Sequence, residues 1–104
     1  MKIQFNTDHN IEGGNRVSDY FSKFIKEELH RFQTQITRIE VHLSDEDSHK
    51  NGQDDKKCML EARLKNLQPI AVINMGNTNE EAIKGAVRKL KTSLDTISGR
   101  LNKH

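Results

Sequence analysis

The sequence predicts an α+β domain of order β-α-β-β-β-α, in which a four-stranded mixed sheet carries two helices packed on one of its faces. Three observations lead there. Two long stretches repeat apolar residues every three or four positions, as helices do. Three shorter stretches alternate apolar and polar residues, as half-buried strands do, and a fourth is a short, mostly apolar run. The polar positions of the alternating strands are largely charged, so one sheet face meets water and both helices must cover the other.

The elements follow in order. Residues 1 to 7 place Ile3 and Phe5 on one side and Lys2, Gln4 and Asn6 on the other, which predicts the first strand. The stretch Glu12-Gly13-Gly14-Asn15 reads as a turn, with Asn15 as N-cap of the first helix. In that helix Phe21, Phe24, Ile25, Leu29 and Phe32 form an apolar stripe roughly 100° wide, better suited to a core than to stacking on bases. From Thr37 to Ser44 the period becomes two, with Ile39, Val41 and Leu43 inward and Arg38, Glu40 and His42 outward. A polar loop over about 45–56 leads to the third strand, where Cys58, Leu60, Ala62 and Leu64 alternate with Lys57, Met59, Glu61 and Arg63. Pro69 to Met75 reads as the fourth strand, with Pro69 tolerable at its start. Thr78-Asn79-Glu80-Glu81 is a capping box that opens the second helix. Its apolar residues Ile83, Val87, Leu90, Leu94, Ile97 and Leu101 are spaced four, three, four, three, four.

The chain has 104 residues, the size of one domain spanning 1–104. Apolar residues make up 33% and charged residues 31%, a polar balance whose periodic apolar runs nonetheless imply folding. No run is long enough for a membrane span and the first residues lack a secretion signal, so a cytoplasmic location without membrane contact is expected. The single Cys58 fits a reducing compartment and cannot alone make a zinc site. Net charge is +2, but residues 45 to 55 carry −4 and the other 93 residues +6. Such a dipole could orient on a polyanion, although on charge alone an ordinary solvated surface is the favoured reading.

Glycine-rich phosphate loops, nucleophile elbows and paired metal-ligand histidines are missing from the sequence, which predicts neither an enzyme nor a cofactor. Asp47, His49, Asn51 and Gly52 imitate the opening of a calcium loop, but Cys58 stands where its bidentate carboxylate belongs. The acidic loop is therefore expected to be mobile and metal-free. The informative pattern is on the second helix, where Lys84, Arg88 and Lys91 follow at spacings of four and three and make one stripe, flanked by Lys89 and Arg100. Lys23, Lys26 and His30 repeat the spacing on the first helix, and two helices side by side would merge the rows. Such a row suits successive phosphates, whereas the outer sheet face mixes Arg38 and Arg63 with Glu40 and Glu61. The alternative reading is a solvated amphipathic face.

The strand Lys2-Ile3-Gln4-Phe5, the strand Ile39-Glu40-Val41-His42-Leu43 and the helix segment from Glu81 to Leu90 together resemble the ribosome hibernation promoting factor and ribosome-associated inhibitor family, known also as sigma-54 modulation proteins. The helix segment is similar to that family's A-I-D-x-x-x-x-K-L helix start, with Lys84 in place of the acid. The resemblance covers essentially the whole chain. It implies a fold similar to a double-stranded RNA-binding domain and a short-type member that acts as a monomer off the ribosome. It also implies binding to ribosomal RNA of the small subunit, occlusion of the messenger and transfer RNA channel, and a role in the stress response. Lys89 and Arg100 match basic positions of the resembled family, whereas Asp95, Thr96 and Ser98 stand where it commonly has lysines.

The expectation is thus a ribosome-associated translation inhibitor, with a generic RNA-binding or RNA-chaperone domain and a protein-interaction module as alternatives. Lys84, Arg88, Lys89 and Lys91 are the expected RNA-binding residues, with Lys23, Lys26 and Arg100 secondary.

Overall fold

Four strands and two helices form in the predicted order. The computed structural model describes residues 1–7, 14–45 and 56–101. They comprise β1 (Lys2–Thr7), α1 (Gly14–Glu28), a 3-10 turn (His30–Phe32), β2 (Ile36–Asp45), β3 (Lys56–Leu64), β4 (Ile70–Gly76) and α2 (Asn79–Leu101). The loop expected between Asp45 and Lys56 lies outside the described residues, so its expected mobility and freedom from metal do too. Only its ends are seen, where the Lys56 ammonium meets the Asp45 carboxylate at 3.0 Å.

The sheet order is β1-β2-β3-β4, with β1 parallel to β2 and the other pairs antiparallel. Register explains the core. Ile39 lies opposite Ala62, Val41 opposite Leu60, and Leu43 opposite Cys58, and all six are buried. Ile36 is buried too, although it stands three positions before Ile39. A bulge at Thr37 inserts one residue between the pairs Ile36–Leu64 and Arg38–Arg63, which returns Ile36 to the inner face. The Thr37 hydroxyl donates to the Arg63 carbonyl at 3.0 Å and satisfies one backbone group at this irregularity.

Both helices close over the inner face. Phe21, Ile25 and Leu29 join Ile83, Val87, Leu90 and Leu94 and the inward strand residues in one core, as the periodicity predicts. Full burial of each such side chain is worth about 1.5–3 kcal/mol. The first helix differs from expectation at its ends. It begins at Gly14, one residue before the expected cap Asn15, and it stops at Glu28. Leu29 and Phe32 nonetheless stay buried, because the 3-10 turn carries Phe32 back onto the core. At α2 the Glu81 N–H donates to the Thr78 hydroxyl at 3.1 Å, as the capping box predicts.

Two close approaches seat α2 on β4. Gly76 is buried against the Glu81–Ala82 backbone, where a Cβ would stand 2.8 Å from the Ala82 nitrogen. Gly85 lies directly over the Asn74 amide, which donates to the carbonyls of Glu81 and Ala82. β4, read as a mostly apolar run, has no charged outer face. Ile70, Val72 and Asn74 turn inward, leaving Ala71, Ile73 and Met75 exposed outside. An apolar run reads alike on both faces, so alternation gave no warning of this.

Candidate nucleic-acid interface

The seven candidate cations do not share one surface. At roughly 100° per residue, Lys84, Arg88 and Lys91 fall on the same shoulder of α2, and this shoulder faces α1. The Lys84 ammonium lies 5.7 Å from the centre of the Phe24 ring, and Lys91 reaches Glu28 at 3.2 Å, both residues belonging to α1. Further along, Arg31 pairs with Asp95 at 2.7 Å. The shoulder is therefore a helix–helix seam as well as a charged surface.

Lys89 is elsewhere. It falls on the opposite flank of α2, where its ammonium donates to the Ile73 carbonyl of edge strand β4 at 2.7 Å. A lysine so placed covers part of an open sheet edge. The sequence reading has Lys89 flanking the stripe, and the fold puts it on the flank that meets β4, away from α1. Arg100 sits in the last turn of α2, and its side chain lies outside the described residues.

On α1 the merger of basic rows also fails. The side of α1 that meets α2 presents Phe24 and Glu28. Lys26 is two residues from each, which puts it about 160° around the helix from both. Lys23 lies between, exposed on the outer side of α1 in a groove with Tyr20, Phe24 and Glu27. The structure thus brings Lys84, Arg88 and Lys91 together, keeps Lys23 near by across the Phe24 ring, and separates Lys26 and Lys89.

Acids bear on the stripe that the sequence reading left out. Lys84 pairs with Glu80 one turn earlier at 3.0 Å, and Glu28 stands against Lys91. The first was readable from the i,i+4 spacing, whereas the second joins residues 63 apart and required the tertiary fold. Among the described residues Arg88, Lys23 and Lys26 have no ion-pair partner. Arg88 and Lys84 border an open cleft of about 410 Å³ completed by Asn74, Met75, Gly76 and Glu81. Polar and open, this cleft suits an anionic group held at the surface.

The outer sheet face is built differently. Glu40 accepts from Arg38 at 2.6 Å and also lies 3.8 Å from Arg63 and 3.6 Å from His42. Arg63 reaches Glu61 as well. Arg38 and Arg63 are thus committed to acids of the same face, whereas Lys2, in register with Arg38 on β1, has no ion-pair partner among the described residues. Cys58 is fully buried, and that burial pushes its thiol pKa up to about 12, so it is not a nucleophile at neutral pH. Among the described residues no cluster of metal-ligating side chains is present, and no helix is long and apolar enough to cross a membrane.

Comparison with known proteins accords with this architecture. The family model described as sigma 54 modulation protein / S30EA ribosomal protein matches residues 6–102. A ribosomal subunit interface protein from Coxiella burnetii superposes with a TM-score of 0.68 at 17% identity, over 95% of this chain and 99% of that one. The N-terminal domain of Thermus thermophilus Protein Y gives 0.66 at 22% identity, over 92% and 94%. At these identities the structural likeness establishes the fold alone. No curated protein is significantly similar in sequence.

Proposed function

Because the chain belongs to the sigma 54 modulation protein / S30EA ribosomal protein family, we propose that it is a ribosome-associated translation inhibitor of the hibernation type. In this reading it binds ribosomal RNA of the small subunit and occludes the channel for messenger and transfer RNA. It works by occupancy, as a binding protein and not an enzyme, and a ribosomal partner implies a cytoplasmic location. The observation that carries the RNA part is the shoulder of α2, where Arg88, without an ion-pair partner among the described residues, stands beside Lys84 and Lys91 at the mouth of a polar cleft. Phosphates are recognised by such point charges without regard to sequence, and RNA helices are read largely by shape and backbone.

Sedimentation of cell lysate through a gradient tests the proposal. Co-migration of the protein with small subunits or whole ribosomes is expected, with release as salt is raised. Migration at the top of the gradient at low salt would defeat it. Direct competition between the protein and a messenger or transfer RNA on purified small subunits tests occlusion, and simultaneous binding would exclude that mechanism.

A further inference from the structure

We propose that the groove of Tyr20, Lys23, Phe24 and Glu27 on the outer side of α1 is a subsite for one unpaired RNA base, with guanine preferred. The inference rests on the RNA-binding reading above and extends it from the α2 shoulder to the groove that holds Lys23.

A single exposed aromatic residue is ordinary on a protein surface. What distinguishes Tyr20 is what converges on it. The residue is 56% exposed, yet its ring is braced edge-on against buried Phe21, with centroids 5.0 Å apart and planes at 75°. The groove beside it has a volume of about 250 Å³, below the ~300–1,000 Å³ of pockets that enclose small molecules. It therefore suits a flat ring lying against the surface. Lys23 and Glu27 stand one helical turn apart, the spacing at which they could pair, but neither has an ion-pair partner among the described residues.

These groups match the parts of a nucleotide. An aromatic face stacks on any base, and a cation beside it meets the phosphate. The Glu27 carboxylate is an acceptor of two hydrogen bonds. Guanine offers two adjacent N–H donors on its Watson–Crick edge. Uracil offers one donor between two carbonyls that repel a carboxylate, and adenine and cytosine each set an amino donor beside an acceptor. Lys84 links the subsite to the α2 cleft, since it borders that cleft and also lies over the Phe24 ring. An RNA strand with a phosphate beside Arg88 would continue past Lys84 toward Tyr20.

The chain has one tyrosine and no tryptophan, so tyrosine fluorescence reports on this groove alone. Titration of the full chain with single-stranded hexanucleotides, one all uridine and one with a central guanosine, should quench that fluorescence saturably and more tightly for guanosine. Glu27→Gln should remove the preference. Tyr20→Ala should weaken binding roughly five- to 150-fold by anisotropy of a labelled oligonucleotide, while Tyr20→Phe binds as the wild type does. Unchanged binding by Tyr20→Ala with a native circular dichroism spectrum would overturn the subsite. So would binding by anisotropy that leaves tyrosine fluorescence unmoved, or quenching by an apolar peptide and not by RNA. If the subsite fails while the protein still sediments with ribosomes in a salt-dependent way, the function proposed above stands without it. Failure of both assays would defeat the two together.

Discussion

The outer sheet face and the α2 shoulder both carry basic residues, and they differ in where the opposing acids stand. On the sheet, period-two alternation and register put Arg38, Glu40, His42, Glu61 and Arg63 on the same face, and Glu40 meets both arginines and the His42 ring. On the shoulder, pairing is one to one, between side chains that keep a third or more of their surface in water, and among the described residues Arg88 is left over. Availability, more than number, therefore separates the two surfaces. A phosphate arriving at the paired strands β2 and β3 must break a shared network, with only Lys2 of β1 free beside it among the described residues, whereas at the shoulder it meets Arg88 first.

The largest expected effect exploits that difference. Replacing Lys84, Arg88 and Lys91 with alanine should flatten the salt dependence of binding to purified small subunits by about two to three units in log–log slope, since each lost phosphate contact removes about one. Folding should survive, because the three side chains lie off the apolar seam and alanine favours helix. The double variant Arg38→Ala, Arg63→Ala should change the slope by less than one unit. Equal losses from the two variants would erase the distinction drawn between the surfaces.

A second test concerns what holds the shoulder in place. Gly85→Ala introduces a Cβ about 2.0 Å from the Asn74 amide nitrogen, and that amide cannot move without releasing two α2 carbonyls. Overpacking of this kind costs about 1–3 kcal/mol, against a helix-propensity gain of about 1. A net fall in the urea midpoint with an unchanged m-value is expected. A rise would show that Asn74 turns aside freely and that the seat of α2 on β4 is looser than its hydrogen bonds imply.

Most of the fold was legible in the sequence because hydrophobic periodicity is local. The stripes of α1 and α2 and the alternation of β2 and β3 name their buried residues directly. Ile36 escaped because a bulge breaks period two, and Ile73 and Met75 escaped because an apolar run does not tell its two faces apart. The site was less legible. Spacing placed Lys84, Arg88 and Lys91 together, as they are, but it could not say which side of α1 would meet them. That choice turned Phe24 and Glu28 toward α2 and Lys26 away. Lys89 is three residues before Thr92 and one before Leu90, and only the position of the β4 edge explains why its ammonium meets the Ile73 carbonyl.

The smallest expected effect is the one that most sharpens the comparison. Glu28→Gln removes the acid facing Lys91 and leaves a side chain of nearly the same shape. The pair is well exposed, so its loss should lower stability by at most about 1 kcal/mol. If shoulder cations exchange an internal acid for a phosphate on binding, the variant should bind small subunits slightly more tightly at low salt, because Lys91 no longer has an acid to give up. It should also steepen the salt slope by up to about one unit, since in the wild type the Glu28 carboxylate freed on binding takes up a cation and offsets the one that Lys91 releases from the RNA. An unchanged slope would remove Lys91 from the phosphate contacts and concentrate them on Arg88 and Lys84. A weaker affinity would mean that the Glu28–Lys91 pair positions the two helices for binding, and the shoulder would then resemble the sheet face, with its charges serving the fold before the partner.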